Sequence, residues 1–276
     1  MNRITMIRGM NLMILIANWT IYDMMKKIVL IILVLFLSSC SVKDAEETED
    51  KLSGGKSTLP VSLELLIEYA EYCKAIYDTG GEQRDEVAFD VKQKEFKTVI
   101  IIRGTANKAN VESDADIALE SDVRAGILLH KGFRDAAVTI MQIIDTSMTS
   151  ARTTITGQKL RYPLSDTVHL TGHSLGGAIA QIMGRWLHKR GYNVQVFSYG
   201  SPKISTQSGD KPRHWRVVRP SDPVPFMPPW PYIHTGVFVN SKTLDWGPDN
   251  DNGLISQTDA LDHAIAKYVT TLKEQR

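Results

Sequence analysis

A mostly parallel α/β sheet with helices packed on both faces is predicted by three features of this 276-residue chain. Strand-like and amphipathic helical segments alternate at the spacing of βαβ units from about residue 86 onward. A serine flanked by glycines, in Gly172-His173-Ser174-Leu175-Gly176-Gly177, stands between a short strand and a strongly striped helix. Hydrophobic residues make up 43% of the chain, enough to cover such a sheet from two sides.

Composition also narrows the partners. With Lys+Arg 32 against Asp+Glu 31, the formal charge is +1, so no global field favours nucleic acid. The cysteines, Cys40 and Cys73, make neither a disulfide framework nor the spacing of a zinc site.

Lys26 and Lys27 lead into an unbroken apolar run, Ile28 to Leu37, closed by Leu37-Ser38-Ser39-Cys40. A charged segment, an apolar segment and small residues in that order make residues 1–39 a secretory signal peptide. The run holds about half of the roughly 20 apolar residues a spanning helix needs, which disfavours a membrane span. Leu37-Ser38-Ser39-Cys40 resembles the bacterial lipobox, which implies diacylation of the Cys40 thiol and cleavage that leaves Cys40 as the first residue. Two or more acyl chains give stable membrane anchoring. Ser41 in the following position implies, by resemblance to Gram-negative lipoproteins, the outer membrane rather than the inner. Residues 1–23 do not fit this plan, because their apolar stretch, Met10 to Ile21, is broken by Asn11, Asn18 and Thr20; synthesis is expected to start at Met24 or Met25. Residues 40–58 are polar and read as a flexible tether, and one folded domain is expected over residues 59–276.

Val61, Leu63, Leu65, Leu66, Tyr69, Ala70 and Cys73 recur at helical spacing without Pro or Gly, which predicts a helix over 61–77. Cys73 lies on its apolar face and reads as core, since no base stands near it in sequence. Strands are expected at 86–91 and at 99–103, the second buried on both faces, then a helix over 136–144 and a strand over 167–171. Leu175, Ala178, Ile179, Ile182, Met183, Trp186 and Leu187 form one helical stripe that Gly191 stops. Strands follow at 194–199, 215–219 and 236–240, and a last helix covers about 263–272. No internal repeat interrupts the series.

The strand Thr167 to Thr171, the Gly-His-Ser-Leu-Gly turn and the helix after it supply the context that gives the G-x-S-x-G pattern its meaning. A serine on so tight a turn points its hydroxyl out at the top of the sheet, and Gly172 and Gly176 leave room for strand and helix to pass. The first turn of the helix offers amides and a positive dipole end to a developing oxyanion. A serine hydroxyl needs a base and an orienting carboxylate. Asp222 follows the strand 215–219 in a proline-fixed loop, Pro220-Ser221-Asp222-Pro223-Val224-Pro225, and is the expected acid. His234 and His263 lie downstream. His263, where the final loop enters the last helix, is the better base, while His234 precedes a strand, at the wrong end of a parallel sheet, and reads as a buried hydrogen-bonding residue. His130, His169, His173, His188 and His214 read as surface or structural, with His173 a pocket-wall candidate. Leu175 N–H and the Arg103-Gly104-Thr105 turn, with the Thr105 hydroxyl, are the expected oxyanion donors.

Five segments occur in one order: Arg103-Gly104-Thr105, His130-Lys131-Gly132-Phe133, Gly172-His173-Ser174-Leu175-Gly176-Gly177, Tyr199-Gly200-Ser201-Pro202 and Asp222-Pro223-Val224-Pro225. Together, over roughly residues 60–275, they resemble the class 3 (fungal-type) lipases of the α/β-hydrolase superfamily. The resemblance implies an α/β-hydrolase fold and a cofactor-free serine hydrolase of lipid carboxylic esters, whether of triacylglycerol, monoacylglycerol or phospholipid. It implies Ser174 as nucleophile, Asp222 as acid, His263 as base and Thr105 with Leu175 as oxyanion hole. The segment Tyr232 to Gly236 resembles a family stretch whose histidine is not catalytic.

One departure bears on substrate. Interfacial members of the family carry a bulky apolar lid after the oxyanion loop, whereas Ala106 to Val123 is polar here, with Glu112, Asp114, Asp116, Glu120 and Asp122 around Val111, Ile117 and Leu119. Weak interfacial activation and shorter or monoacyl substrates are therefore expected, with a tether compensating by holding the enzyme near lipid. Two other readings compete: an esterase on carbohydrate-linked acyl or feruloyl esters, and a catalytically silent, membrane-anchored binding lipoprotein on the same fold. No metal is expected, since Asp249-Asn250-Asp251-Asn252-Gly253 is one residue short of a calcium loop and has no closing Glu.

Overall fold

A computed structural model describes residues 59–84, 87–104, 118–153, 164–248 and 259–276. Contacts divide the chain into two units, Met1–Lys56 and Ser57–Arg276, and everything described lies in the second. The expectations placed on the signal peptide, Cys40, the tether, Thr105 and the Asp249 to Gly253 loop fall on residues outside the described set.

Helix α1 spans Leu63–Thr79 and stops at Gly80, whose φ of 80° turns the chain left-handed while its N–H caps the Ile76 carbonyl. Three strands follow, β1 (Glu82–Arg84), β2 (Val87–Lys94) and β3 (Lys97–Ile102). Strands β4 (Leu119–Asp122) and β5 (Ile127–His130) form an antiparallel hairpin of their own, and β5 runs straight into helix α2, Lys131–Thr153. Strand β6 (Thr167–His173), helix α3 (Leu175–Lys189), β7 (Asn193–Tyr199), β8 (Arg213–Val218), β9 (Val237–Asn240), β10 (Trp246–Gly247) and helix α4 (Ile265–Lys273) complete the order, with 3₁₀ turns at Val224–Phe226 and Ala260–His263.

Among the described residues the main sheet runs β1-β2-β3-β6-β7-β8-β9-β10. Pairing is parallel from β3 through β9 and antiparallel only toward the margins, at β1–β2, β2–β3 and β9–β10. This is the fold class expected from the alternation of elements. Period-two geometry divides the apolar run of β3 between two cores. Ile100 and Ile102 join a core with α2 and α3, whereas Val99 and Ile101 join another with α1 and α4. Helices thus cover both faces. Cys73 sits wholly inside the second core, where burial pushes its thiol up to about 12, which suits inert packing.

Two differences from expectation bear on the site. Residues 119–122, read from their polarity as part of a lid, form β4 instead; Asp122 is buried and accepts from Trp186 Nε1 at 2.9 Å and Ala125 N–H at 2.7 Å. The last helix begins at Ile265, so His263 belongs to the preceding 3₁₀ turn. The hairpin escaped notice because its two strands have four residues each and only one of them is apolar in pattern.

Several histidines are part of this framework. His169 lies 2.6 Å from the Tyr69 hydroxyl, His214 2.8 Å from Ser198 Oγ, and His234 donates from Nε2 to the Pro225 carbonyl. Burial, with Lys97 and Arg216 nearby in the first two cases, lowers His169 to about 4 and His214 to about 3; burial and Arg216 hold His234 well below its ordinary range. The unfolded chain therefore binds protons below pH 6.5 that the native state refuses, costing about 1.4 kcal/mol per histidine per pH unit. Stability is expected to be fully present above pH 6.5 and to fall as the pH drops from there toward about 4. Urea midpoints measured across that window check this, and a flat profile contradicts neutral buried imidazoles.

Candidate active site

Strand β6 delivers the chain to Ser174 at the carboxyl edge of the sheet, and α3 starts at the next residue. Ser174 has φ 59° and ψ −132°, a conformation that costs a side-chain-bearing residue about 1–3 kcal/mol and persists only where its surroundings enforce it. Here they do. Ser174 N–H donates to the Tyr199 carbonyl of β7 at 3.0 Å, and its own carbonyl accepts from Gly177 N–H at 2.9 Å. A Cβ on Gly172 would collide with the Gly176 main chain, and one on Gly176 with the Ile102 carbonyl of β3. Leu175 opens α3, so its N–H is among the first-turn amides that have no acceptor within the helix.

Asp222 follows β8 in a tight turn and is 0% exposed. A buried carboxylate is tolerated only when donors surround it. His263 Nδ1 lies 3.0 and 2.9 Å from its two oxygens, the Tyr268 hydroxyl of α4 donates to Oδ2 at 2.6 Å, and Val224 N–H donates to Oδ1 at 2.9 Å. Because a carboxylate accepts, the proton of His263 sits on Nδ1 and the lone pair on Nε2. His263 Nε2 is buried and makes no hydrogen bond. Ser174 Oγ and His263 Nε2 are therefore not hydrogen-bonded, as is common in sites without substrate.

The turn carrying His263 is held from two sides. Asp262 accepts from Lys267 Nζ at 2.5 Å, from the Ser221 hydroxyl and from Arg219 Nη2 at 3.2 Å, and Asp259 N–H donates to the Ser221 carbonyl at 2.9 Å. The Lys267 ammonium, then Ser221 and Arg219, hold the Asp262 carboxyl well below the usual carboxylate range. On the other side, His173 Nε2 lies 2.6 Å from the His263 carbonyl, and the two imidazole rings are 4.5 Å apart.

Ser174, Leu175, Asp222 and His263, all singled out from sequence, meet at this edge; Thr105 and Cys40 lie outside the described residues. His234 hydrogen-bonds to Pro225 instead. Tyr268, Asp262 and Ser221 were missed. Tyr268 reads as core in the Ile265, Tyr268, Val269, Leu272 stripe, and nothing local marks its hydroxyl as a partner for Asp222. Among the described residues no group of three His, Cys, Asp or Glu could hold a metal ion.

A parallel sheet that presents a strained serine at a strand-to-helix turn, with a histidine bonded to a buried aspartate at the same edge, is the arrangement of the α/β-hydrolase fold. Residues 99–232 match the class 3 lipase family. Over 188 residues the chain is 30% identical to a secreted mono- and diacylglycerol lipase of Fusarium solani, covering 64% of this chain and 52% of that protein. Over 217 residues it is 27% identical to a lipase of Rhizomucor miehei, covering 68% and 55%. The chain thus spans about half the length of the curated relatives it matches. A solved Rhizomucor miehei lipase propeptide complex shares the fold with a TM-score of 0.53 at 21% identity, over 73% of this chain and 77% of that one.

Replacing Tyr268 by Phe keeps the ring in the core but removes the donor to Asp222 and the acceptor of Arg219 N–H. A loss of about 1.5–3 kcal/mol is expected, the range for a hydrogen bond to a buried charge. Urea unfolding at pH 7 measures it; a loss under about 0.5 kcal/mol would show that Asp222 does not need the hydroxyl.

Proposed function

We propose that this protein hydrolyses carboxylic esters of lipids through an acyl-enzyme on Ser174, with His263 as base and Asp222 as orienting acid. The single observation that carries the reading is the His263 ring fixed by Asp222 with its Nε2 lone pair buried and unspent, and the His263 carbonyl bonded by His173, the residue before a serine held at φ 59°. In the proposed reaction, His263 Nε2 takes the Ser174 proton as Oγ attacks the ester carbonyl. Negative charge collects on the former carbonyl oxygen, for which Leu175 N–H and, from the sequence, the Thr105 turn are the donors. Collapse expels the alcohol, which leaves with the proton from His263, and water repeats the sequence to release the acid and free Ser174.

Lipid substrates are supported by the relatives, one of which bears the name of a mono- and diacylglycerol lipase. The polar composition of residues 106–117 favours short or single acyl chains over interfacial triacylglycerol. Ser174→Ala is expected to reduce p-nitrophenyl butyrate turnover by about four to six orders of magnitude, the scale seen when such a nucleophile is removed. Undiminished hydrolysis by this variant sinks the reading. Butyrate, oleate and feruloyl esters compared on the intact enzyme set the acyl preference, and a feruloyl preference would favour the carbohydrate-ester alternative.

We further propose that Cys40 is lipidated and tethers this domain to a bacterial envelope membrane, on the support of Leu37-Ser38-Ser39-Cys40 after its apolar run. In a Gram-negative host, labelled palmitate is expected to enter the wild-type chain and not Cys40→Ser, with the variant shifting to the soluble fraction. Equal labelling of both proteins rules out Cys40 as the attachment point.

A further inference from the structure

Tyr77 occupies the last turn of α1, and its hydroxyl lies 2.9 Å from His173 Nδ1. The other nitrogen of that ring, Nε2, meets the His263 carbonyl at 2.6 Å. A carbonyl only accepts, so the His173 proton is on Nε2, the lone pair is on Nδ1, and the Tyr77 hydroxyl donates to it. The oxygen of that hydroxyl faces the end of β3. A Cβ on Gly104 would stand 2.5 Å from it, 2.7 Å from the His173 carbonyl and 3.0 Å from Ser174 Cβ. Tyr77, His173 and the His263 main chain thus form one directed series of hydrogen bonds, with Gly104 packed against the Tyr77 oxygen. Burial first, and the nearby His263 ring second, lower His173 to about 3, while burial pushes the Tyr77 hydroxyl up, so both stay neutral and the direction of the series does not reverse near neutral pH.

We propose that Tyr77 is a positioning residue for the acyl transfer assigned to Ser174: through one hydroxyl, packed against Gly104 at the end of β3, it holds the His173 ring that bonds the main chain of the base. The inference rests on the proposed esterase reading and deepens it. Asp222 and Asp262 fix His263 relative to the acid loop after β8. The His173 bond is what joins the base to the strand that delivers the nucleophile, and Tyr77 holds the His173 ring in the tautomer that makes it. Tyr77 touches neither the reacting oxygen nor the base's ring nitrogens, so its effect belongs in the rate of chemistry and not in ground-state binding.

The test compares wild type, Tyr77→Phe, His173→Gln and the double variant on p-nitrophenyl butyrate. Each rate is normalised to the sites that a fluorophosphonate labels, so that misfolded protein is not counted. Tyr77→Phe is expected to lower kcat per labelled site about tenfold with KM changed less than twofold. The double variant is expected to be no slower than His173→Gln alone, because Tyr77 acts through His173. An unchanged kcat per labelled site, or losses that multiply in the double variant, overturns the proposal. Should the wild type neither label nor turn over, the esterase reading fails on its own account, and nitrogen-15 spectra of the histidines still decide the relay. They are expected to show His173 protonated on Nε2 in the wild type and a mixture of tautomers in Tyr77→Phe. An Nδ1-protonated His173 in the wild type overturns the proposal without reference to activity.

Discussion

Asp222 carries a carboxylate with no exposed surface, and the arrangement of the site follows from how that group is satisfied. A buried charge costs several kcal/mol unless donors replace the water it has lost. The donors come from three places: Val224 two residues on, His263 in the last 3₁₀ turn, and Tyr268 in α4. Meeting the needs of one anion therefore pulls the carboxyl-terminal segment onto the top of β8. It also explains the glycine after β7. Gly200 has φ 57°, and a Cβ there would lie 2.7 Å from Asp222 Oδ2, 2.9 Å from the Tyr268 hydroxyl and 3.2 Å from His263 Cε1. Neither the backbone angle nor the space admits another residue.

Ser174 and His263 are located by different physics. Ser174 is placed locally: the parallel register of β6 between β3 and β7, and close passage of glycine backbones, leave the turn one conformation. His263 is placed by contacts of long sequence separation, 41 residues to Asp222 and 90 to His173. The turn that bears it has no core of its own, since none of the residues Ala260–His263 is fully buried. Polar contacts must do there what packing does at the elbow, and the short Asp262 network and the His173 bond do it from opposite sides.

This difference decides what could be seen in the sequence. The elbow was legible because glycine spacing, strand and helical stripe all lie within about twenty consecutive residues. The sheet was legible for a related reason, as parallel strands buried on both faces read as apolar runs, and Val99 to Ile102 is one. Asp222 and His263 could be chosen by chain order and loop position, though their mutual bond could not. Tyr77 and Tyr268 were invisible, since each sits in a helical stripe whose apolar logic explains it completely; only the third dimension shows that their hydroxyls reach polar partners. The β4–β5 hairpin was lost because Leu119-Glu120-Ser121-Asp122 lacks a strand pattern and buries its Asp for the sake of Trp186 and Ala125.

The two hidden tyrosines have one more property in common: α1 and α4, which carry them, pack on the same face of the sheet. The Tyr199 hydroxyl, donating to the Leu66 carbonyl at 2.6 Å, binds β7 to α1 within that layer. Helix α3, which starts at the nucleophile, packs with α2 in the opposite layer. The sheet edge is thus supplied from both sides with different goods: the layer of α2 and α3 holds Ser174 and its helix amides, and the layer of α1 and α4 delivers hydroxyls that bond Asp222 and, through His173, reach the main chain of His263. A parallel sheet suits this division because β3, β6, β7 and β8 all end at the same edge, so two separately packed layers can converge on one point without a linker between them. The placement of Ser174 relative to His263 then depends on how well the two layers hold register across the sheet, and among the described residues the hydrogen-bonded strands β3, β6, β7 and β8 lie between both.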